Sequence, residues 1–341
     1  MGKRLSANFN SLLNKIDIIC AKNFIPDKYA RILQKFITNC LPVISKNGKN
    51  PDHCSGVYST FIDIIEEQFK NPYQFQHFHE KIRYPFDYYQ FGLDFLRPLV
   101  DFPHSTLRGI NHLNEIEKIL KAGENVILFA NHQTETDPQA ISLLLEASHP
   151  RFGENLVFVA GSRVTSDPLA IPFSMGRNLL CIHSKKHIDN PPEEKHKKHM
   201  YNKRTMKCML ELFSRGGHAI YVAPSGGRDR ADSDGSITVA PFDPQSVGMF
   251  YLMARRADRP THFFSLALST HHLLPPPQTT EIELGESRIT RGGAIHLSFG
   301  KSIDMENFSG AGKIRDRKEK KLARAKYLWN IVRNEYNSFP Q

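Results

Sequence analysis

The chain has 341 residues, 40% of them apolar and 23% charged, with a net charge of +10. That balance fits a large folded protein and excludes a disordered or fibrous one. No run approaches the ~20 apolar residues of a membrane-spanning helix. Five scattered cysteines with no Cys-x-x-Cys pair argue against a disulfide frame or thiolate zinc site, and the positive charge calls for an anionic partner without choosing one.

Residues 1–75 read as a small helical bundle. Asn8, Asn10 and Asn14 break up any signal-peptide core. Leu12, Leu13, Ile16 and Ile19 recur at helical spacing, as do Phe61, Ile64, Ile65 and Phe69. Turn signals fall at Asn23 to Asp27, Asn47 to Asp52 and Asn71-Pro72. An aromatic segment follows, Tyr73 to Phe102, with Phe86, Tyr88, Tyr89, Phe91 and Phe95 too many for an exposed linker. They are expected to pack between the bundle and a second unit, 76–341.

From about residue 104 short apolar runs alternate with amphipathic segments. Strands are expected at Asn125–Ala130, Leu156–Ala160, Leu179–His183, His218–Ala223, Thr261–Leu268, Glu281–Leu284 and Ala294–Phe299. Helices are expected at Leu113–Ala122, Pro138–Glu146, Lys197–Phe213, Pro244–Arg256 and Arg315–Tyr336. The pattern predicts an α/β fold, a mixed and largely parallel sheet flanked by helices and preceded by the N-terminal helical bundle. Active sites of such sheets form where loops leave the carboxyl ends of strands.

Three of those loops carry chemistry. Asn131 to Pro138 offers His132 and Asp137, which a turn can bring into contact so that the carboxylate orients the imidazole as a base; the plainer role of Asp137 is to cap the helix that Pro138 opens. Ser184-Lys185-Lys186-His187 places cations at a strand end, suited to a phosphate or simply to solvent. Pro224 to Arg230 combines close-approach glycines with Arg228 and Arg230, whose forked donors match phosphate oxygens. Together the loops describe a base beside an anion pocket.

Asn131 to Pro138 resembles the NHxxxxD block of the glycerolipid acyltransferase superfamily, and Pro224 to Arg228 its Pro-Glu-Gly-x-Arg block, with Ser225 where Glu is usual. Gly176-Arg177-Asn178-Leu179, Ser184 to His187, Pro224 to Arg230 and Leu266-Ala267-Leu268 through Pro275-Pro276-Pro277 are similar to the soluble, plastid-type glycerol-3-phosphate acyltransferases, a resemblance running over roughly residues 80 to 300. It implies transfer of a fatty acyl group from an acyl carrier protein or acyl-coenzyme A thioester to the 1-hydroxyl of glycerol 3-phosphate. His132 would be the general base and Asp137 its partner; Lys186, His187, Arg228 and Arg230 would hold the phosphate. The acyl thioester is a co-substrate; no cofactor and no metal is implied.

The cationic start of the C-terminal helix, Arg315 to Lys326, reads as a solvated face or as a dock for an acidic carrier protein or anionic lipid. A zinc cluster of His183, His187, His196 and His199 is disfavoured, since Pro191 and Pro192 interrupt it and no cysteine joins it. A lysophosphatidic acid acyltransferase would be expected to carry an apolar anchor, and none is seen. A nucleic-acid-binding protein would need a stacking platform or known binding motif, so nucleic acid is not an expected partner. With no transit peptide evident, the cytoplasm of a bacterium is the first expected setting and the plastid stroma the second.

Overall fold

The computed structural model describes residues 7–184, 188–277 and 284–340. Helices α1 (Ala7–Ala21), α2 (Asp27–Lys46) and α3 (Ser55–Lys70) come first, then strand β1 (Phe78–His79), α4 (Tyr88–Leu96), β2 (Thr106–Arg108) and α5 (Ile110–Lys121). The succession continues with β3 (Asn125–Ala130), α6 (Asp137–Leu145), α7 (Pro150–Asn155), β4 (Val157–Gly161), α8 (Ile171–Met175), β5 (Asn178–Ile182) and α9 (Lys195–Arg215). It closes with β6 (Ala219–Val222), α10 (Pro244–Arg256), β7 (Thr261–Ser269), β8 (His296–Ser302) and α11 (Arg317–Asn337). No helix among the described residues is long and apolar enough to cross a membrane.

The strands form one sheet in the order β1-β5-β4-β6-β3-β7-β8-β2. β5, β4, β6, β3 and β7 run parallel, β2 pairs parallel with β8, and only the β1–β5 and β7–β8 pairs are antiparallel. The expected α/β architecture is therefore present. Successive side chains of a strand point to opposite faces, and the core divides accordingly. Ile127, Phe129, Ile220, Val222 and Phe263 meet α9, α10 and α11 on one face. Val126, Leu128, Phe158, Leu179 and Tyr221 meet α5 and α6 on the other. A third apolar cluster joins α1, α2 and α3 to α4 and to Ala140 and Leu143 of α6.

Six of the seven expected strands form, their ends moved by at most three residues. The seventh, Glu281–Leu284, falls on 281–283, outside the described residues, and Leu284 itself lies in no strand. The short β1 and β2 escape any periodicity argument, because two or three residues show no period. Of the aromatic segment, Tyr89, Phe91 and Phe95 are buried against α3 and α8, whereas Phe86, expected to pack with them, is exposed. The Phe95 ring lies 4.8 Å from Tyr58, 4.7 Å from Phe61 and 5.0 Å from Phe173, centroid to centroid. One close approach fixes this region. A Cβ on Gly176 would stand 2.4 Å from the Tyr88 carbonyl oxygen, so only glycine lets the chain entering β5 rest against the start of α4.

Candidate active site

The carboxyl ends of β3, β4, β5, β6 and β7 share one edge of the sheet, and the loops leaving them build the site. His132 stands on the loop after β3, with Asp137 at the first position of α6. His132 Nδ1 lies 2.7 Å from Asp137 Oδ2. An ionised carboxylate only accepts, so in the neutral imidazole the proton sits on Nδ1 and Nε2 keeps its lone pair.

Asp137 is 1% exposed and its second task is to organise the loop. Oδ2 also accepts from the Gln133 amide at 2.9 Å; Oδ1 accepts from the Thr134 amide at 3.1 Å and the Thr270 hydroxyl at 2.5 Å. The helix N-terminus adds favourable field to the carboxylate. Thr270, at the end of β7, is separated by 133 residues from Asp137, so no local pattern announced it. Replacing it by valine keeps the shape and removes one charge-assisted bond. Thr270→Val is expected to cost about 1.5–3 kcal/mol, seen as a lower urea midpoint at constant m-value.

Neighbouring side chains lock the loop to adjacent strands. Asn131 Nδ2 donates to the Leu268 carbonyl at 2.9 Å and its Oδ1 accepts from the Leu268 amide at 2.9 Å. Gln133 Oε1 accepts from the Thr270 and His271 amides at 2.7 and 3.1 Å. The Tyr221 hydroxyl donates to the Asn131 carbonyl at 2.5 Å.

Asp229, from the middle of the Arg-Asp-Arg turn, points inward rather than to the chamber. Its carboxylate accepts from Asn131 Nδ2 at 3.0 Å and the Ala240 amide at 2.9 Å, while its own amide donates to the His132 carbonyl at 2.6 Å. Burial raises its pKa to about 6 against these hydrogen bonds. Because the folded value lies above the unfolded one near 3.9, folding takes up a proton between roughly pH 4 and 6. The stabilisation is complete below about pH 4 and lost as pH rises through about 6. The urea midpoint of the wild type relative to Asp229→Asn should therefore fall over that window; parallel pH profiles would disprove the shift.

A chamber of about 500 Å³ opens beside His132, lined by apolar side chains such as Val159, Met206 and Phe250 and by Arg163, Ser184, Ser225, Arg228 and Arg230. Arg228 and Arg230 therefore share one chamber with His132. Lys186 and His187 lie outside the described residues, two and three positions after Ser184. The two arginines differ in partners. Arg230 Nε donates to the Pro277 carbonyl at 3.0 Å, and burial together with the Arg228 charge lowers its pKa. Arg228 is held by carboxylates, with Nη2 2.6 Å from Glu286 and Nη1 3.5 Å from Glu135. Arg163 lies 3.3 Å from Glu286, while Arg288 reaches Glu135 at 2.8 Å and Asp167 at 3.2 Å. Burial pushes the Glu135 carboxyl up, but the Arg288 and Arg228 guanidiniums outweigh it and hold it below the usual range.

Sequence reading found Arg228 and missed the carboxylates around it. Glu135 sits inside the Asn131–Pro138 block and could have been noticed there; Glu286 and Arg288 come from a stretch without any motif. Ser225, where the resemblance has Glu, donates its hydroxyl to the Gly227 carbonyl at 2.9 Å and so braces the turn. The cationic run of α11 is partly absorbed: Arg324 is buried, donating to the Met305 carbonyl at 2.6 Å, and Lys320 pairs with Glu306 at 3.2 Å. Among the described residues no group of three or more His, Cys, Asp or Glu side chains could hold a metal ion.

A second cavity, of about 110 Å³, is mainly apolar and reaches inward from the same histidine. Phe158, Ala160 and Leu179 of the sheet form one wall; Phe61, Phe95 and Phe173 stand opposite. Both cavities are bordered by His132, Glu135, Gly161, Val164 and Ala223, so they meet at that histidine.

The chain matches the acyltransferase family model over residues 107–269. It is 40% identical over 317 residues to the chloroplastic glycerol-3-phosphate acyltransferase ATS12 of Cucurbita moschata, covering 92% of this chain and 68% of that one. ATS11 of the same plant is 39% identical, with 92% and 70% covered. The chloroplastic glycerol-3-phosphate acyltransferase of Arabidopsis thaliana is 40% identical over 78% of this chain and 58% of its own. The solved lysophosphatidic acid acyltransferase PlsC of Thermotoga maritima aligns over 96% of both chains at 15% identity with a TM-score of 0.40, too distant to bear on fold or chemistry.

Proposed function

Because the chain belongs to the glycerol-3-phosphate acyltransferase family, we propose that it moves a fatty acyl group from a thioester to the 1-hydroxyl of glycerol 3-phosphate, with His132 as base. One observation supports the reading: the larger chamber with its arginines and the smaller apolar cavity both border His132, whose Nδ1 faces Asp137. A phosphate in the chamber and an acyl chain in the cavity bring hydroxyl and thioester carbonyl together at its Nε2.

Arg228 and Arg230 would grip the phosphate, joined by Lys186 and His187, which follow the chamber-lining Ser184 in sequence. Nε2 accepts the hydroxyl proton as the oxygen attacks the carbonyl carbon, and Asp137 stabilises the imidazolium. The tetrahedral oxyanion collapses, the carbon–sulfur bond breaks, and the departing thiolate takes the proton back from His132. General base catalysis supplies about 10²–10⁴-fold, and alignment of two substrates up to roughly 7–11 kcal/mol. The chemistry needs no cofactor beyond the thioester.

An acidic carrier protein is the donor we favour. Asn202 and Met206 of α9 line the chamber, and Lys195, Lys197, Lys203, Arg204 and Lys207 of the same helix are exposed beside it. Such a rim steers an acidic partner, with strong salt dependence, and attracts the headgroups of an anionic membrane. The chloroplast origin of the named relatives favours a plastid stroma over a bacterial cytosol.

The test is release of free thiol from an acyl carrier protein thioester, with and without glycerol 3-phosphate, for wild type and His132→Ala. Acceptor-dependent release that collapses in the variant supports acceptor and base together. Release without acceptor indicates a thioesterase, and no release from this thioester or from acyl-coenzyme A removes the reading.

A further inference from the structure

We infer that Arg163 is a further ligand for the phosphate of the acceptor, alongside Arg228 and Arg230, an inference that deepens the acyltransferase reading above and rests on it. Arg163 lies on the short turn that follows β4 and lines the chamber, and no motif announces it. Sheet order explains its place. β5, β4, β6 and β3 are successive neighbours, so the turn after β4 stands between the loop that carries Ser184 and the loop that carries Arg228 and Arg230. Register sets its height. Leu179, Phe158, Tyr221 and Leu128 share one level across the four strands. Ser184 and Arg163 each stand five residues beyond that level and His132 four, so all three rise to the same edge. Two strand spacings, about 10 Å, separate the β4 and β3 positions. The two side chains and a three-carbon phosphate can bridge that width.

Glu286 joins Arg163 to Arg228. Its Oε2 accepts from Arg228 Nη2 at 2.6 Å, and its Oε1 lies 3.3 Å from Arg163 Nη2. One buried carboxylate thus lets two guanidiniums stand side by side against their repulsion. The two contacts differ in kind. Oε1 accepts no hydrogen bond among the described residues, so its pairing with Arg163 is one of charge and not of aligned donors. Arg163 is also the more open of the two, its side chain 21% exposed against 12% for Arg228. Its charge reaches further into the chamber. Burial is the main cause that lowers the Arg230 pKa, and the Arg228 and Arg163 charges add to it against Glu286. Cations that feel one another around an open chamber suit a phosphate, whose several oxygens match several forks.

Neutralising Glu286 would not by itself call for Arg163. Arg228 already holds that carboxylate by the shorter contact, and Arg288 Nη1 donates to the Glu286 carbonyl at 3.1 Å. Arg288 shows what a structural arginine looks like here. It is 8% exposed, pairs with Glu135 and Asp167, and does not line the chamber. Arg163 does line it, on a turn between two loops already assigned to the phosphate. Loss of one charge-assisted contact to a bound anion weakens binding about 10–100-fold.

The experiment is steady-state kinetics with both substrates varied, for wild type and Arg163→Met, with inorganic phosphate as inhibitor. The KM for glycerol 3-phosphate and the inhibition constant of phosphate should both rise at least tenfold, while kcat and the KM for the thioester stay within about twofold. Arg163→Lys, which keeps the charge without the fork, should recover part of the loss. A KM for glycerol 3-phosphate within twofold of wild type in folded Arg163→Met overturns the inference. So does a KM that rises while the inhibition constant of phosphate stays put, which would place Arg163 on the glycerol hydroxyls. If Arg163→Met does not fold, the same constants are compared between Glu286→Gln and Arg163→Met/Glu286→Gln, in which no Glu286 charge is stranded, and equal values overturn the inference. A wild type that neither acylates glycerol 3-phosphate nor binds it in a calorimetric titration instead removes the function on which the inference rests.

Discussion

His132→Ala is expected to lower kcat by about 10²–10⁴-fold while the KM for glycerol 3-phosphate changes little. In the proposed mechanism other residues grip the phosphate, and the imidazole is needed only as the proton moves. Asp137→Asn should cost as much by another route. An amide turned to donate toward Nδ1 favours the proton on Nε2, the wrong tautomer for a base, and loss of the carboxylate removes stabilisation of the imidazolium; the comparable change in a histidine-dependent hydrolase costs about 10⁴-fold. The asparagine also keeps one acceptor oxygen where Asp137 has two, although the Gln133 and Thr134 amides and the Thr270 hydroxyl all depend on them. Steady-state kinetics with both substrates varied check the pair. More than a tenth of wild-type kcat in His132→Ala would exclude it as the base.

Arg228→Ala is expected to be the most damaging change in the chamber, because it acts on stability and on affinity. Glu286, 3% exposed, loses its 2.6 Å partner, and Glu135 loses one of its two arginines. Breaking a buried pair from one side typically costs about 3–5 kcal/mol, mostly through the charge left behind. The KM for glycerol 3-phosphate should rise as well, by tenfold or more, from the lost forked contact. The double variant Arg228→Ala/Glu286→Gln separates the two effects. In Arg228→Ala the Glu286 carboxylate keeps only Arg163, at 3.3 Å, and neutralising it should restore part of the urea midpoint and none of the affinity. Arg228→Lys keeps the charge but not the fork, and should recover stability better than KM. A KM unchanged in Arg228→Ala would remove this residue from the phosphate site.

The sequence determined the sheet and the contact between His132 and Asp137. Strands such as Asn125–Ala130 are short apolar runs between turn signals, and their period and bounds are local properties that chain order preserves. His132 and Asp137 are five residues apart, so a single turn specifies their contact; the same holds for Arg228 and Arg230, which share one glycine-bearing turn. Tertiary structure decided what those groups face. Thr270 reaches Asp137 and Glu286 reaches Arg228 across 133 and 58 residues, separations at which no spacing rule operates. Arg177 stands in a recognisable motif, yet its burial and its stacking on Tyr89 follow from strand register and from helices that meet only in the fold. Charge and residue type are written in the chain, whereas desolvation and pairing depend on which distant segments exclude water around them.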